Sequence, residues 1–334
     1  MPRPLREMLE SLAKARGFSR IGVTPAARPE HDRDFQRWLS EGRHGEMAYL
    51  ERTRDLRSDP LTLLPEARSI VVLAMPYPSA DPEASDGTRT ARYALAEDYH
   101  RTLRAKCESL VAEWKSETGT ALRHRVCVDS APLAERDFAV SAGIGWIGKN
   151  GMVLNEEGSY FLLCEILTDA EIPPDAPVAN RCGACTRCLD ACPTSAFLGP
   201  GVLDATRCLS YWTIEQRGVV PEEIVERLGG WVFGCDACQE ACPYNAAVDK
   251  TALQRQPPEL SEILGMRASG WRHRLKDTPL SRAGPSGMRR NAAAVAQSRS
   301  RVDLLPALES LASSSHPTVA RQAAAAVRSL SRAT

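Results

Sequence analysis

No uninterrupted apolar run in this sequence approaches the ~20 residues that a membrane-spanning helix needs, so the chain is not expected to cross a membrane. The opening residues, Met1 to Arg6, hold no apolar core of the signal-peptide kind, and a cytoplasmic address follows as the expectation. Net charge is missing too, because 42 Lys and Arg balance 42 Asp and Glu. What is present is 43% apolar and 25% charged residues over 334 positions, an ordinary globular composition that argues against disorder and fibrous repeats. A chain of that length holds two or three domains. The zero charge hides an asymmetry: residues 266–334 carry eleven Arg and one Lys against three acids, a balance of +9, so the rest sums to −9.

Cysteine is not scarce. Of eleven, eight fall between Cys182 and Cys242, a density that in a large chain without an export signal points to a metal centre and away from a disulfide scaffold. Cys182, Cys185, Cys188 and Cys192 with Pro193 read C-x2-C-x2-C-x3-C-P, the spacing that binds a [4Fe–4S] cluster in bacterial ferredoxins. A partial copy follows as Cys235, Cys238 and Cys242 with Pro243, and Cys208 supplies its missing thiol. In the two-cluster pattern the fourth cysteine of each run ligates the other cluster, giving Cys182, Cys185, Cys188 and Cys242 as one set and Cys192, Cys208, Cys235 and Cys238 as the other. A pair of zinc sites is the alternative, although zinc ribbons need neither the three-cysteine run nor two C-P dipeptides. Cys107, Cys127 and Cys164 lie in apolar elements and read as core.

Met8, Leu9 and Leu12 recur at helical spacing from Leu5 and stop before Gly17. Strands are predicted through Ile21 and Val23, over residues 69–75 (SIVVLAM), over 124–129 (HRVCVD) and over 160–167. Residues 77–90 read as a long surface loop, 99–114 as an amphipathic helix and 131–141 as a second helix with Pro132 in its first turn. Proline-rich segments at 172–178 and 256–259 divide the chain into an α/β body (1–171), a cysteine-rich unit (172–256) and a tail (257–334) with helical periodicity over 288–298, 304–311 and 319–330. The short tail helices resemble one or two HEAT-type repeats. Two clusters form a one-electron relay, and the α/β body is the expected place where the electrons are used.

Residues 143–150 (GIGWIGKN) match the skeletons G-x-G-x-x-G and G-x4-G-K, but a helix precedes them where those motifs need a strand, and Asn150 replaces the Mg²⁺-binding hydroxyl. The segment is therefore a tight turn, or a turn whose backbone approaches another ligand. Asp98-Tyr99-His100 begins like the D-x-H-x-x-G cobalamin-ligand motif and fails at Leu103. Asp129, at a strand's end, reads either as a helix N-cap or as a partly buried carboxyl whose pKa is raised enough to donate a proton. Lys149 and Arg136 are candidate anion contacts.

In combination these stretches resemble the cobalamin-dependent epoxyqueuosine reductases of tRNA modification: Tyr93 with residues 98–100, 128–136 (VDSAPLAER), 142–150, 158–161, the eight cysteines, 208–215 (CLSYWTIE) and the helical tail. The resemblance implies an α+β multidomain chain with a nitroreductase-like α/β domain holding base-off cobalamin, a two-cluster ferredoxin-like domain and a C-terminal helical HEAT-like domain that grips tRNA. It implies reduction of epoxyqueuosine to queuosine at the wobble position of the tRNA anticodon loop by a monomer fed from a low-potential electron donor. Asp129 matches the catalytic acid, while Arg57, Tyr99, His100, Trp146, Gly148, Lys149, Asn150 and Ser210 fall where the family contacts its cofactor. Arg289, Arg290 and Asn291 are the expected tRNA backbone contacts. Three rivals remain: a reductive dehalogenase, which usually carries a twin-arginine export signal and has no use for a basic tail; an electron carrier whose α/β body only docks, which predicts no corrin binding; and a tRNA-binding protein with structural clusters, which predicts no turnover.

Overall fold

The computed structural model describes residues 5–332 apart from 247 and 249. Its first half is built on one four-stranded sheet, β1 (Arg20–Pro25), β2 (Ser69–Pro76), β3 (His124–Cys127) and β4 (Phe161–Thr168), in the order β1-β2-β4-β3 with every neighbouring pair antiparallel. The central strands β2 and β4 are apolar runs because both faces are covered. On one face lie α1 (Leu5–Ala15) and α2 (Tyr99–Thr118), whose Leu9, Leu12, Leu103, Leu110 and Trp114 pack on Val71, Leu73 and Ile166. Cys107 and Cys164 fill this layer with no exposure, as their apolar setting predicts. On the other face, α3 (Glu135–Ser141) lays Phe138 and Ala139 on Ile70, Val72, Cys127 and Leu167. Gly22 lets the end of α3 approach β1, since a Cβ there would stand 2.0 Å from the Ala142 carbonyl oxygen.

Helix α2 begins where Asp98 accepts the His100 backbone N–H, and it ends at left-handed Gly119. Helix α3 is shorter than the pattern predicts. Pro132 holds Ala131 away from helical backbone, Asp129 has a left-handed φ of 44°, and regular helix starts only at Glu135. The Asp129 carboxyl is therefore no N-cap.

Residues 77–90 form a seam and not a free loop. Ala80 donates to Thr251, Arg89–Thr90 pairs in parallel with Trp231–Phe233, and Arg299 reaches the Gly87 carbonyl. Beside them Arg92, 8% exposed, bridges Asp236 and Glu240 at 3.1 and 2.6 Å, tying the α/β body to the cysteine-rich segment. Ser159 and Asn245 strengthen the same joint through a buried hydrogen-bond network with Gln239.

The tail forms α4 (Gly284–Ser298), α5 (Leu305–Ala312) and α6 (Pro317–Leu330), with α4 the most buried. Its core is shared: Leu209, Ile214, Val225, Trp231 and Phe233 pack in one cluster with Leu260, Met288, Ala292 and Leu330, across the 256/257 boundary. The helical layer is thus fixed to the second half of the cysteine-rich segment. Two of the three expected tRNA contacts fall inside this joint. Arg290 and Asn291 are 2% and 0% exposed, Arg290 holding the carbonyls of Trp212, Gln216 and Gly218 and Asn291 those of Thr213 and Val232. They satisfy the backbone of the irregular turn after Cys208 and do not reach a phosphate. Burial lowers the Arg290 pKa to about 10. Arg289 is only half-buried, donating to the Met266 carbonyl and lying over Trp271.

Candidate active site

Asp129 follows the end of β3, and its side chain is 56% exposed. Its Oδ2 accepts Tyr99 Oη–H at 2.8 Å and faces His100 Nε2 at 2.9 Å. The opposite ring nitrogen, His100 Nδ1, stands 2.7 Å from Asp98 Oδ1, and the Tyr99 ring stacks on the imidazole with centroids 4.2 Å apart. All three partners come from the first turn of α2. The Asp98 that caps the helix also orients the histidine.

From sequence, burial is expected to raise the Asp129 pKa. Desolvation does push it up and is the largest single effect, but donation from His100 and Tyr99 outweighs it and the net direction is down. His100 moves the other way, held protonated first by its hydrogen bond to Asp129 and then by Asp98, against desolvation. Below the raised His100 pKa the transferable proton rests on the His100–Asp129 pair, with Asp98 on the other side of the ring.

Around this pair stand groups that sequence reasoning missed. The Arg282 guanidinium lies over the Tyr49 ring at 5.6 Å, pairs with Glu215 and adds positive charge toward Asp129. Arg101 pairs with Asp277, and the Asp277 carbonyl accepts the Asp98 N–H at 2.8 Å, which brings residues 276–282 beside the start of α2. Behind Asp129, Glu135 accepts the Asp129 backbone N–H. Arg57 donates to the Leu133 carbonyl at 3.0 Å and faces Glu135, Tyr49 and Asp129. No local motif marks Tyr49 or Arg282, and Glu215 closes the matched stretch 208–215; only the fold brings these segments together.

The structure therefore brings Arg57, Tyr99 and His100 to Asp129. The glycine turn goes to the cysteine loops: Lys149 donates to the Gly183 carbonyl, Asn150 to that of Cys238, and buried Trp146 meets Tyr244 edge-on at 5.1 Å beside Cys182 and Cys242. Gly148 packs against Leu154, and Arg136 donates to the Gly151 carbonyl. Ser210, half-buried, opens the turn at Tyr211–Glu215. Among the described residues no three thiols, carboxylates or imidazoles close on the single point that a lone ion needs. Among the thiols, Cys188 and Cys242 face Cys182 and, for Cys242, Cys185, while Cys235 and Cys238 face Cys208, which itself faces Cys192; Cys238 also faces Cys188 of the first set.

Residues 181–245 match the family model described as a 4Fe-4S double cluster binding domain, and residues 57–130 match the one described as Epoxyqueuosine reductase QueG, DUF1730. An epoxyqueuosine reductase of Pseudomonas aeruginosa is 37% identical over 324 residues, covering 92% of this chain and 90% of its own. The chain belongs to the epoxyqueuosine reductase family. A second relative of that name, from Xanthomonas campestris, is 36% identical over 90% of this reductase and 89% of its own length. A crystal structure of a selenomethionine-labelled epoxyqueuosine reductase superposes at a TM-score of 0.89 with 32% identity, covering 98% of this chain and 90% of that one. The Bacillus subtilis enzyme, described with its aspartate catalytic loop swung out of the active site, matches at 0.88 and 32% over the same shares. This reductase is an oxidoreductase with two [4Fe–4S] clusters on an α+β scaffold, and the dehalogenase, electron-carrier and RNA-binding rivals fall away. Among the described residues no helix is long and apolar enough to cross a membrane.

Proposed function

We propose that this reductase removes the epoxide oxygen of epoxyqueuosine at the wobble position of a tRNA anticodon loop, with electrons passing from the two clusters to cobalamin held base-off beside Asp129. The observation that carries the reading is the exposed Asp129 carboxylate clasped by Tyr99 and His100. A solved relative carries an epoxyqueuosine-modified tRNA-Tyr stem loop, which supports the same substrate here.

The residues present fit the cofactor. Trp146 Nε1 is buried without a partner, and Arg57, Tyr99, His100, the turn through Gly148, Lys149 and Asn150, and Ser210 would hold the corrin. Both His100 nitrogens are taken by carboxylates, which leaves no imidazole lone pair for a lower ligand and favours the base-off form. When bound, cobalamin supplies a strongly reducing centre that accepts electrons singly. Cys182, Cys185, Cys188 and Cys242 would hold one cluster and Cys192, Cys208, Cys235 and Cys238 the other, reduced by an external low-potential donor. Residues 1–171, 172–256 and 257–334 then serve cofactor, clusters and RNA in a cytoplasmic monomer.

The overall reaction takes up two electrons and two protons, breaks two C–O bonds, forms one C=C bond and releases water. Asp129, taking its proton from His100, delivers one proton to the departing oxygen, and solvent supplies the other. Asp98 keeps the imidazole oriented throughout. The exposed cations nearest the site are Arg101, Lys276 and Arg282, and we assign them the phosphates beside the extruded wobble nucleotide, with Arg289 further out. Anaerobic reconstitution with iron, sulfide and cobalamin, reaction with epoxyqueuosine-bearing tRNA under a strong reductant, and nucleoside mass spectrometry test the proposal. Loss of one oxygen from the nucleoside is expected. An unchanged nucleoside with both clusters and corrin bound would contradict it.

A further inference from the structure

A single acid interrupts β4, the strand FLLCEILT, and the structure leaves it in the most apolar place available. Glu165 stands in register between Val72 of β2 and Cys127 of β3, on the sheet face that α3 covers with Phe138 and Ala139. It is 0% exposed, and neither carboxyl oxygen has a hydrogen-bond partner. A buried ionised carboxylate without a partner is very costly, so such a group keeps its proton.

The carboxyl facing Glu165 is that of Glu135. Glu135 in turn accepts the backbone N–H of Asp129. That contact matters because Asp129 is held at a left-handed φ of 44°, a conformation that a non-glycine residue adopts only when its surroundings impose it. Other charged or titratable groups facing the pair include Arg57, Arg136, Asp129, Tyr99 and the thiols of Cys107, Cys127 and Cys164. Burial raises the Glu135 pKa to about 8 and pushes that of Glu165 well above the usual carboxylate range.

We propose that Glu135 is a positioning residue for this reaction, which latches the Asp129 loop into the site through the Asp129 amide and is itself held from below by Glu165 as a neutral carboxylic acid. The inference rests on the reading of Asp129 as the catalytic acid. It explains why an acid lies inside the sheet: a leucine at 165 would fill the layer but would leave the inner side of Glu135 against an apolar wall. The loop then has a defined bound state, which Glu135 stabilises and Glu165 supports.

The test uses the holoenzyme, reconstituted with clusters and cobalamin, as Glu135→Ala, Glu135→Gln, Glu165→Gln and Asp129→Asn. Loss of the latch misplaces the acid without touching substrate, so Glu135→Ala should lower kcat about 10- to 100-fold and leave KM for the tRNA nearly unchanged. The side-chain amide oxygen introduced by Glu135→Gln can accept the same N–H, so that variant should recover most of kcat. Amide hydrogen exchange of residues 128–131, measured without cobalamin, should speed up about 10-fold or more in Glu135→Ala and not in Glu135→Gln. Wild-type infrared spectra should show the C=O stretch of a buried protonated carboxyl that Glu165→Gln removes. Wild-type kcat and exchange in Glu135→Ala, equal losses in both Glu135 variants with unchanged exchange, or no Glu165-dependent carboxyl band would each overturn the proposal. If Asp129→Asn keeps wild-type turnover, the catalytic reading fails instead, whatever the Glu135 variants do.

Discussion

Asp129 is pulled in opposite directions by its surroundings: desolvation favours the neutral acid, while Tyr99 and His100 favour the carboxylate and prevail. The proton needed for turnover is consequently stored on the His100–Asp129 pair, and because the His100 pKa is raised, the pair holds it below that pKa and loses it as pH rises through it. The kcat of the wild-type enzyme should fall along an alkaline limb set by this pair. His100→Gln should move that limb to lower pH and reduce kcat at neutral pH about 10- to 100-fold; an unmoved limb would show that His100 holds no part of the proton. At this scale the sequence made much of the site legible. Asp129, Tyr99 and His100 lie in recognisable stretches, whereas the sign of the Asp129 shift does not, because it depends on two donors brought in from another element. Glu165, by contrast, is a lone acid in an apolar strand that carries no motif. Only its zero exposure gave that acid a meaning.

At the scale of elements, periodicity located α1, α2 and the four sheet strands within a few residues, because each alternates or repeats against a core it fully buries. It overextended α3, where local strain at Asp129 and Pro132 wins over helical patterning. It also misplaced the chemistry of α4. Arg290 and Asn291 look like an RNA-facing cluster in sequence, yet the turn at Tyr211–Glu215 exposes carbonyls that need donors, and α4 supplies them. Asn291→Ala strands two buried carbonyls, Thr213 in that turn and Val232 in the strand Trp231–Phe233, so it should destabilise the protein by about 2–4 kcal/mol in thermal or denaturant unfolding. Iron at the cluster assigned to Cys208 should become labile first, with the other cluster's spectrum retained; equal loss from both clusters would remove the link. In the sheet layer, Leu110→Ala, which empties a fully buried position, should cost about 2–5 kcal/mol in the same unfolding measurement.

For the molecule as a whole, charge is divided by function. Of the +9 carried by residues 266–334, Arg282 faces Asp129 and Lys276 adjoins Asp277, whose carbonyl accepts the Asp98 N–H at the start of α2. Binding of the tRNA should weaken with salt, and Lys276→Ala with Arg282→Ala should lower the slope of log Kd against log salt by about 1–2. A slope unchanged in the double variant would place the RNA elsewhere. The order of the three units was legible from two proline-rich segments and the cysteine spacing. Their fusion was not, because the shared core and the buried Arg92–Asp236–Glu240 joint are contacts between distant residues that no local pattern records.

The most direct test compares wild type with Asp129→Asn, both loaded with clusters and cobalamin, by single-turnover conversion of epoxyqueuosine-bearing tRNA and nucleoside mass spectrometry. If Asp129 delivers the proton, the variant should bind both cofactors and the tRNA as the wild type does while converting the nucleoside about 100-fold more slowly or worse. Conversion at the wild-type rate would contradict the account at its centre.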